Sequence, residues 1–514
     1  MKKNNLKIMQ SILCFCLLVC LPGSVWSRSN DEVRVALAYD PATINMLELK
    51  TAIDLPPMVH IHESLLTVNA KTGKYTTDFS LSESMELLPS GKDIRFRLRK
   101  NAIFHTGDPV TAHDVKFTYE QCVHPRNTNL LASSLEEIEE IEVVDDHTVI
   151  FHLYEPYAPW KELLWVGIVS KKYHAKVGRA KFRSHPVGSG VFKFVERKIG
   201  RYVKLERFDK HPTFKPQFKK LTFMTIPDEL TRVSMLETGE LDLVSDINPI
   251  QVRTLKRRKH IVIKREADVP SFYGIAVRAD NYPIWKDTYL AKAFQYAINR
   301  QEIVDRVYLK EGYPLYMFAS RVEIGFDPGI TYDFNPQKAK QLVAKSSYKP
   351  GTPLTLSYTN TFPNAAIVAT IVQRYLKNIG VTVRLRQLEA GVQATYSRNK
   401  DPREGHMVLY SLAGQRDPNL RFQLTIHSKS MYSAWTTRPS QKKMDHLIEA
   451  QAKEINEAKR LKLLSGIHQI MIDEPAGTYL FGLNQIYAHS DRIEYNWVPG
   501  QALVFHLQNI KIVK

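Results

Sequence analysis

Apolar and polar residues alternate one by one in part of residues 93–120, the most regular segment of the chain. Apolar side chains at every second position of residues 94–98 are separated by arginines, which predicts a strand with one apolar face. Gly-Asp-Pro at residues 107–109 predicts a tight turn. Thr111 predicts the N-cap of a helix, and Asp114 supplies an acidic group three residues later. The segment is thus predicted to form a strand, a turn and a capped helix.

The same two periodicities predict strands and long helices along the rest of the chain, without an internal repeat or a low-complexity linker. Predicted strands cover residues 33–37, 94–98, 148–153, 202–206, 220–226, 261–264, 355–358 and 382–388. Predicted helices cover residues 111–121, 229–238, 290–307, 336–344, 364–378, 441–450 and 457–473. Strands that alternate with amphipathic helices indicate α/β domains.

The first residues are typical of an export signal. Lysines at positions 2, 3 and 7 precede an apolar run over residues 12–21, and the residues up to Ser27 suit cleavage after that serine. We therefore expect residues 1–27 to be a secretory signal peptide and the mature protein to be soluble in the periplasm. A lipid anchor at Cys20 is the alternative, although the residue before it is larger than lipidation usually requires.

Size, cysteine content and charge narrow the class of protein further. The 514-residue chain has room for about two to four domains. No internal disulfide is expected, because cleavage leaves Cys122 as the remaining cysteine. The formal net charge of +18 can favour an anionic ligand, a membrane surface or nucleic acid. Export and the scattered basic residues, with short clusters such as residues 256–259, argue against nucleic acid, and we expect no nucleic-acid partner.

Catalytic motifs are not recognised in this sequence. Residues 188–190, Gly-Ser-Gly, lack the spacing of a nucleophile elbow, and their glycines suit a turn. Cys122 follows an amphipathic helix and is interpreted as a packing residue. His60 and His62 have no further ligand at suitable spacing besides Glu63. No P-loop is present either. We expect no enzyme activity, no cofactor and no bound metal.

Several segments, in order over about four hundred residues, resemble one family. Residues 96–117, FRLRKNAIFHTGDPVTAHDVKF, are similar to its signature segment. The other matching segments are residues 185–194 (HPVGSGVFKF), 236–242 (LETGELD), 293–300 (AFQYAINR) and 335–342 (NPQKAKQL). The chain therefore resembles the peptide/nickel/opine-type extracellular solute-binding proteins, the periplasmic receptors of ABC importers.

The resemblance implies an α/β, two-lobed periplasmic binding protein fold of a type II-like kind, with an additional α/β domain and a hinge between the lobes. On this basis we expect lobe I to consist of three pieces and lobe II of one. The expected boundaries are residues 28–61, 185–269 and 484–514 for lobe I, 62–184 for the extra domain and 270–483 for lobe II. Several crossings between lobes suit hinge closure.

The resemblance also implies a ligand-contact segment at residues 410–418, YSLAGQRDP. Peptide-binding relatives usually carry a tryptophan and an aspartate there, and the aspartate pairs with the ligand's α-ammonium. Counted back from Asp417, these two positions hold Ser411 and Gly414, while Arg416 adds a positive charge. We therefore expect Ser411, Gly414, Arg416 and Asp417 to form the ligand site. This site should have less need of a cationic ligand end than the sites of peptide-binding relatives have.

Alternatives remain open for the acid that such a site would need. Asp417 serves instead of the missing aspartate if the loop is shifted by one residue. An ammonium group could otherwise be met by Glu63 or Asp40, if the fold brings them near the segment.

The leading function is a periplasmic receptor that captures a peptide or peptide-like solute for an inner-membrane ABC permease and its ATPase. A receptor for an opine, a sugar conjugate, a metal chelate or haem is one alternative, and an exported chaperone-like protein on the same scaffold is another. We expect a monomer.

Overall fold

The structure is a computed structural model that describes residues 30–127, 129–360, 364–414, 416–430, 432–433, 438–501 and 506–513. The predicted signal peptide, residues 1–27, and Cys20 lie outside the described residues. Within the described part, no helix combines the length and the apolar character needed to cross a membrane.

A mixed seven-stranded sheet gathers segments from distant parts of the chain. Its first strand in sequence, Glu32–Leu37, pairs in parallel with two later strands, Lys220–Thr225 and Leu243–Val244. Separate apolar cores lie against the sheet, one built around Phe223 and another around Leu236. In spatial order the strands are Ile261–Glu266, Gln485–Ser490, Leu243–Val244, Glu32–Leu37, Lys220–Thr225, Tyr202–Arg207 and Phe192–Lys198.

A six-stranded sheet is formed by the later half of the chain. Phe272 and Tyr479 face one apolar core, whereas Ile275 and Leu480 face another, as the alternation of side chains along strands requires. In spatial order the strands are Gly312–Pro314, Gly477–Leu483, Ser271–Val277, Met407–Ala413, Leu354–Tyr358 and Val383–Gln387.

A four-stranded antiparallel sheet is formed by the part of the chain between two strands of the seven-stranded sheet, Glu32–Leu37 and Phe192–Lys198. Its strands, in spatial order, are Ser82–Leu87, Asp93–Leu98, Thr148–Leu153 and Ile138–Asp145. The strand predicted at residues 94–98 and the capped helix after it are both confirmed. Thr111 and Asp114 form a capping box, in which the Thr111 N–H donates to the Asp114 carboxylate at 3.0 Å. Short two-stranded pairs, Thr67–Val68 with Tyr75–Thr76 and Ile493–Glu494 with Lys511–Ile512, complete the strands.

Helices pack around the three sheets. Lys171–Ser184 is interrupted at Gly178, whose φ of +74° is not helical. The α-helices are Leu55–Ile61, Ala112–Val123, Ala132–Leu135, Lys171–Ser184, Glu229–Glu237, Pro249–Leu255, Tyr289–Ala297, Arg300–Val307, Pro336–Lys345, Ala365–Asn378, Ala390–Arg398, Asn419–Thr425, Gln441–Lys453 and Glu457–Asp473.

One helix prediction is wrong in a physically informative way. Residues 290–307 form two helices, Tyr289–Ala297 and Arg300–Val307, because Ile298 is extended and Asn299 caps the second helix. The break lets Arg300 turn inward, where its guanidinium donates to the Tyr479 carbonyl at 2.6 Å. Apolar periodicity continues through the break, so the pattern alone did not reveal it.

Two short connections join the seven-stranded sheet to the six-stranded sheet. They are residues 267–270, after Ile261–Glu266, and Asn484, before Gln485–Ser490. The first is held at its Asp268 carbonyl, which accepts from the Gly500 N–H at 2.6 Å. The two connections lie next to each other, because the strands Ile261–Glu266 and Gln485–Ser490 pair directly. The lobe and extra-domain boundaries given above stay a prediction.

Candidate functional site

A cavity of about 800 Å³ lies where segments near the three sheets meet. This volume falls within the range usual for small-molecule and cofactor sites. Its wall combines residues between His62 and Ser80, before the four-stranded sheet, with the end of the strand Met407–Ala413 and residues between Arg416 and Thr425. His211 and Phe214, near the seven-stranded sheet, also line it. Apolar side chains such as Ile53, Leu66, Phe79, Trp165, Leu420 and Leu424 provide much of the lining.

Hydrogen bonds join chain segments next to the cavity wall. The Asn419 side-chain amide donates to the Tyr157 hydroxyl at 2.9 Å, and both residues are buried. The Ala158 N–H donates to the Ala452 carbonyl at 2.7 Å. These bonds tie residues 157–158 to the helices Asn419–Thr425 and Gln441–Lys453.

Three of the four sequence-predicted site residues line the cavity, namely Gly414, Arg416 and Asp417. Ser411 is not among the lining residues. It lies within the strand Met407–Ala413, opposite Tyr273, and its side chain is exposed. The cavity reaches this strand only at its last two residues and the turn that follows.

Asp417 is already occupied by a protein cation. Arg460 binds its two carboxylate oxygens in a fork, at 2.6 and 2.8 Å, and both side chains are more than nine-tenths buried. Asp417 also accepts the Asn419 N–H at 3.0 Å, which orders the start of the helix Asn419–Thr425. The Arg460 guanidinium is held in turn by the Gln451 side chain at 2.8 Å. Asp417 and Arg460 thus form a structural ion pair at the cavity wall.

Gly414 is required by the position of Arg421. A Cβ atom at residue 414 would lie 2.1 Å from Nη2 of Arg421, which is closer than real contacts allow. Arg421 stacks on the Phe272 ring at 4.7 Å and pairs with the buried Glu323. An arginine side chain therefore occupies the space that a side chain at position 414 would need.

Arg416 bridges two segments at the edge of the cavity. Its Nη2 donates to the Thr72 carbonyl at 3.0 Å. The guanidinium passes between Gly73 and Gly500, both with positive φ, where an added Cβ would lie 2.7 and 2.3 Å from its nitrogens. Arg416 acts as a contact across the cavity mouth.

Of the further acids that the sequence offered, one reaches the cavity. Glu63 lines it and pairs with His211 at 3.0 Å. Asp40 pairs with Arg197 at 2.9 Å and is not among the lining residues.

Sequence reasoning missed a third acid in the cavity wall, Glu162. It lies in the short 3₁₀ helix Trp160–Leu163 and accepts the Tyr75 hydroxyl at 2.6 Å. Within the described residues no Lys, Arg or His forms an ion pair with it. Burial raises the pKa of Glu162 to about 8; the charge of Asp417 adds to the rise, and the Tyr75 hydrogen bond opposes it.

Signals for the missed residues exist in the sequence, although they are weak. Lys161 and Glu162 interrupt the otherwise apolar and aromatic segment of residues 156–168, and Arg421 lies four residues after Asp417. A charged residue is more often exposed than buried, so neither Glu162 nor Arg421 could be chosen without the fold.

The family model described as "Bacterial extracellular solute-binding proteins, family 5 Middle" matches residues 80–432. The match covers more than half of the chain, and the chain belongs to this family. It is therefore a solute-binding protein of the kind that serves ABC importers, and its relatives are binding proteins rather than enzymes. The resemblance drawn from the sequence motifs is confirmed.

Similar proteins extend over nearly the whole chain. The chain is 25% identical over 457 residues to the oligopeptide-binding protein AppA of Bacillus subtilis, covering 84% of this chain and 83% of that protein. It is 25% identical over 487 residues to the dipeptide-binding protein of Escherichia coli, covering 87% and 88%. The crystal structure of CtaP, an ABC transporter substrate-binding protein of Listeria monocytogenes, superposes with a TM-score of 0.84 at 23% identity, covering 94% and 99%. The two-lobed binding-protein fold expected from the sequence is confirmed.

Proposed function

We propose that this protein captures a peptide-like solute outside the cytoplasm and delivers it to an inner-membrane ABC permease with its ATPase. The observation that carries the proposal is the cavity of about 800 Å³, which is mostly apolar with a few polar groups and is built from segments of three sheets. Relatives named as oligopeptide-binding and dipeptide-binding proteins favour peptides over an opine, a sugar conjugate, a metal chelate or haem. The same names favour an import receptor over an exported chaperone.

The proposed mechanism is closure of two lobes about the connections at residues 267–270 and Asn484. Adjacent strand ends are suitable hinges, because few residues then absorb the rotation. Residues 28–61, 185–269 and 484–514 would form one lobe, residues 270–483 the other, and residues 62–184 the extra domain. The cavity wall supports this division, since it draws on all three parts.

Within the cavity, Gly414, Arg416 and Asp417 are proposed as wall residues of the ligand site, with Ser411 beyond its edge. Their contacts suggest separate roles: Asp417 and Arg460 set the wall, Gly414 leaves room for Arg421, and Arg416 spans the mouth. No catalytic step is proposed, and the protein acts as a monomer that binds without chemical change.

Export rests on the amino-terminal sequence. We propose cleavage after Ser27 and release into the periplasm, with lipid attachment at Cys20 as the alternative. Amino-terminal sequencing of protein from the native host distinguishes the two. A start near Arg28 supports release, and a blocked, lipid-bearing start at Cys20 contradicts it.

The ligand class can be tested with protein freed of bound solute by unfolding and refolding. The probes are a tryptic peptide digest and a mixture of neutral oligosaccharides, and native mass spectrometry reads what is retained. We expect one peptide per chain from the digest and no oligosaccharide. Retention of no peptide would contradict the proposed peptide-like ligand.

A further inference from the structure

Charged groups in the cavity wall differ in whether they already have a partner. Arg460 neutralises Asp417, His211 pairs with Glu63, and Glu323 pairs with Arg421. Asp78 also lines the cavity but is exposed to solvent. Glu162 is only partly exposed and, within the described residues, has no basic partner. Of the acids in this wall that are shielded from solvent, it is the one without a basic partner in the described part of the chain.

The position of Glu162 is fixed by Tyr75, a second residue of the cavity wall. Tyr75, in the strand Tyr75–Thr76, donates its hydroxyl to one carboxylate oxygen at 2.6 Å. The other oxygen has no hydrogen-bond donor among the described residues, and it is not among the fully buried atoms without a partner. One oxygen is therefore held by the protein and the other remains accessible in a site where solutes bind.

We propose that Glu162 receives the amino group of the ligand, an assignment that rests on the proposed peptide-like function. A desolvated acid gains more from an ammonium partner than an exposed acid does, because the local dielectric constant is low. The turn at position 414 cannot supply this acid, since Arg421 fills the space beside Gly414. The ligand's amino end is thus assigned to the part of the cavity wall formed by Glu162 and Tyr75.

Binding at Glu162 has a defined proton balance. In the ligand-free protein burial raises the pKa of this carboxyl to about 8, so at pH 7 it is mostly a neutral acid. An alkylammonium ligand forms an ammonium–carboxylate pair, and the acid proton leaves to the buffer. Tyr75, Tyr157, Asp417 and Arg460 are the titratable or charged groups that act on Glu162 electrostatically. Of these, Asp417 and Arg460 already form an ion pair with each other.

The test uses the refolded mature protein and its Glu162→Gln variant. Glutamine has the shape of the neutral acid and can still accept from Tyr75, so the variant is expected to fold. Glu83→Gln is the matched control, because Glu83 is exposed on the strand Ser82–Leu87 and does not line the cavity. The probes are a tryptic peptide digest and the same digest with its amino groups acetylated.

We expect the wild type and the control to retain peptides of the untreated digest and to reject the acetylated digest. Affinity for a retained peptide should fall by about tenfold or more in Glu162→Gln. Calorimetry at pH 7 in phosphate and in Tris should show about one proton released per peptide in the wild type, and none in the variant.

Each other outcome has a distinct meaning. Equal retention of both digests by the wild type would show that no amino group is read and would overturn the assignment. If Glu162→Gln bound peptide with the same affinity and the same proton release as the wild type, the assignment would also be overturned, while the peptide-binding function would remain intact. Retention of neither digest by the wild type would contradict the proposed function itself, and the assignment with it.

Discussion

Asp417, Glu63 and Glu162, three acids of the cavity wall, have different partners, and the partner decides what each acid can do. Asp417 is clamped by Arg460 through two charged hydrogen bonds and so stabilises the wall. Glu63 pairs with His211 at 3.0 Å, so a protein side chain already contacts its carboxylate. Glu162 has a tyrosine hydroxyl and no basic partner in the described part of the chain, which leaves it available to a ligand.

Replacing Asp417 by asparagine should destabilise the protein strongly. The substitution leaves the buried Arg460 guanidinium without its counter-charge, and breaking a buried pair in this way costs about 3–5 kcal/mol. Asp209→Asn is the control, because the aspartate of its pair with Arg207 is 61% exposed, so this variant should lose far less stability than Asp417→Asn. Urea unfolding measures both. If both variants lost a similarly small free energy of unfolding, Asp417 would be dispensable for the fold and free to bind ligand.

The stability of the ligand-free protein should depend on pH through Glu162. Its pKa is about 8 when folded, against an ordinary value of 4.5, so the folded state binds more protons than the unfolded state between these values. The stability contributed by the neutral acid is therefore complete below pH 4.5 and is lost as the pH rises to about 8. Glu162→Gln lacks this loss, so its stability relative to wild type should be greater at pH 8 than at pH 5. Urea unfolding at both pH values is the measurement.

Glu83→Gln provides the control for that pH dependence, because Glu83 is exposed on the strand Ser82–Leu87. Its stability difference from wild type should be the same at pH 5 and pH 8. A Glu162→Gln difference that also does not change with pH would contradict the neutral state of Glu162.

Among the elements, the pair of helices Tyr289–Ala297 and Arg300–Val307 shows why apolar periodicity is not enough to set helix boundaries. Asn299 accepts the Glu302 N–H at 2.9 Å and starts a new helix, while Arg300 reaches the Tyr479 and Gln295 carbonyls. A buried arginine needs several acceptors, and a continuous helix would direct it elsewhere. The break follows from a tertiary contact, which the local sequence does not contain.

Removing the Asn299 cap should cost about 1 kcal/mol of stability in Asn299→Ala, because one N–H of the second helix loses its acceptor. Asn378→Ala is a suitable control, since Asn378 is exposed at the last residue of the helix Ala365–Asn378. That change should alter stability by less than about 0.5 kcal/mol. Chemical denaturation compares the two variants, and equal effects would show that the cap does not hold the break in place.

For the whole molecule, the sequence predicted the fold class and most long elements, because these depend on local periodicity and on motifs spread over the chain. It also located the turn around residues 414–417, which does line the cavity. It could not supply Glu162, Tyr75, Arg421 or Arg460, because these residues come from separate segments and meet only in the folded chain. Asp417 illustrates the limit: its position at the site was predictable, but its partner lies 43 residues away.

Ligand binding should stabilise and compact the protein if the two connections at residues 267–270 and Asn484 act as a hinge. A ligand that binds the closed form and not the unfolded chain stabilises by about 2.7 kcal/mol at one hundred times its dissociation constant. A peptide retained from the digest should therefore raise the melting temperature and lower the radius of gyration measured by small-angle X-ray scattering. In Arg416→Ala, which removes the contact to the Thr72 carbonyl across the cavity mouth, the compaction should be smaller. A retained peptide that raised the melting temperature without any change in radius would show binding to a preformed cavity and exclude closure.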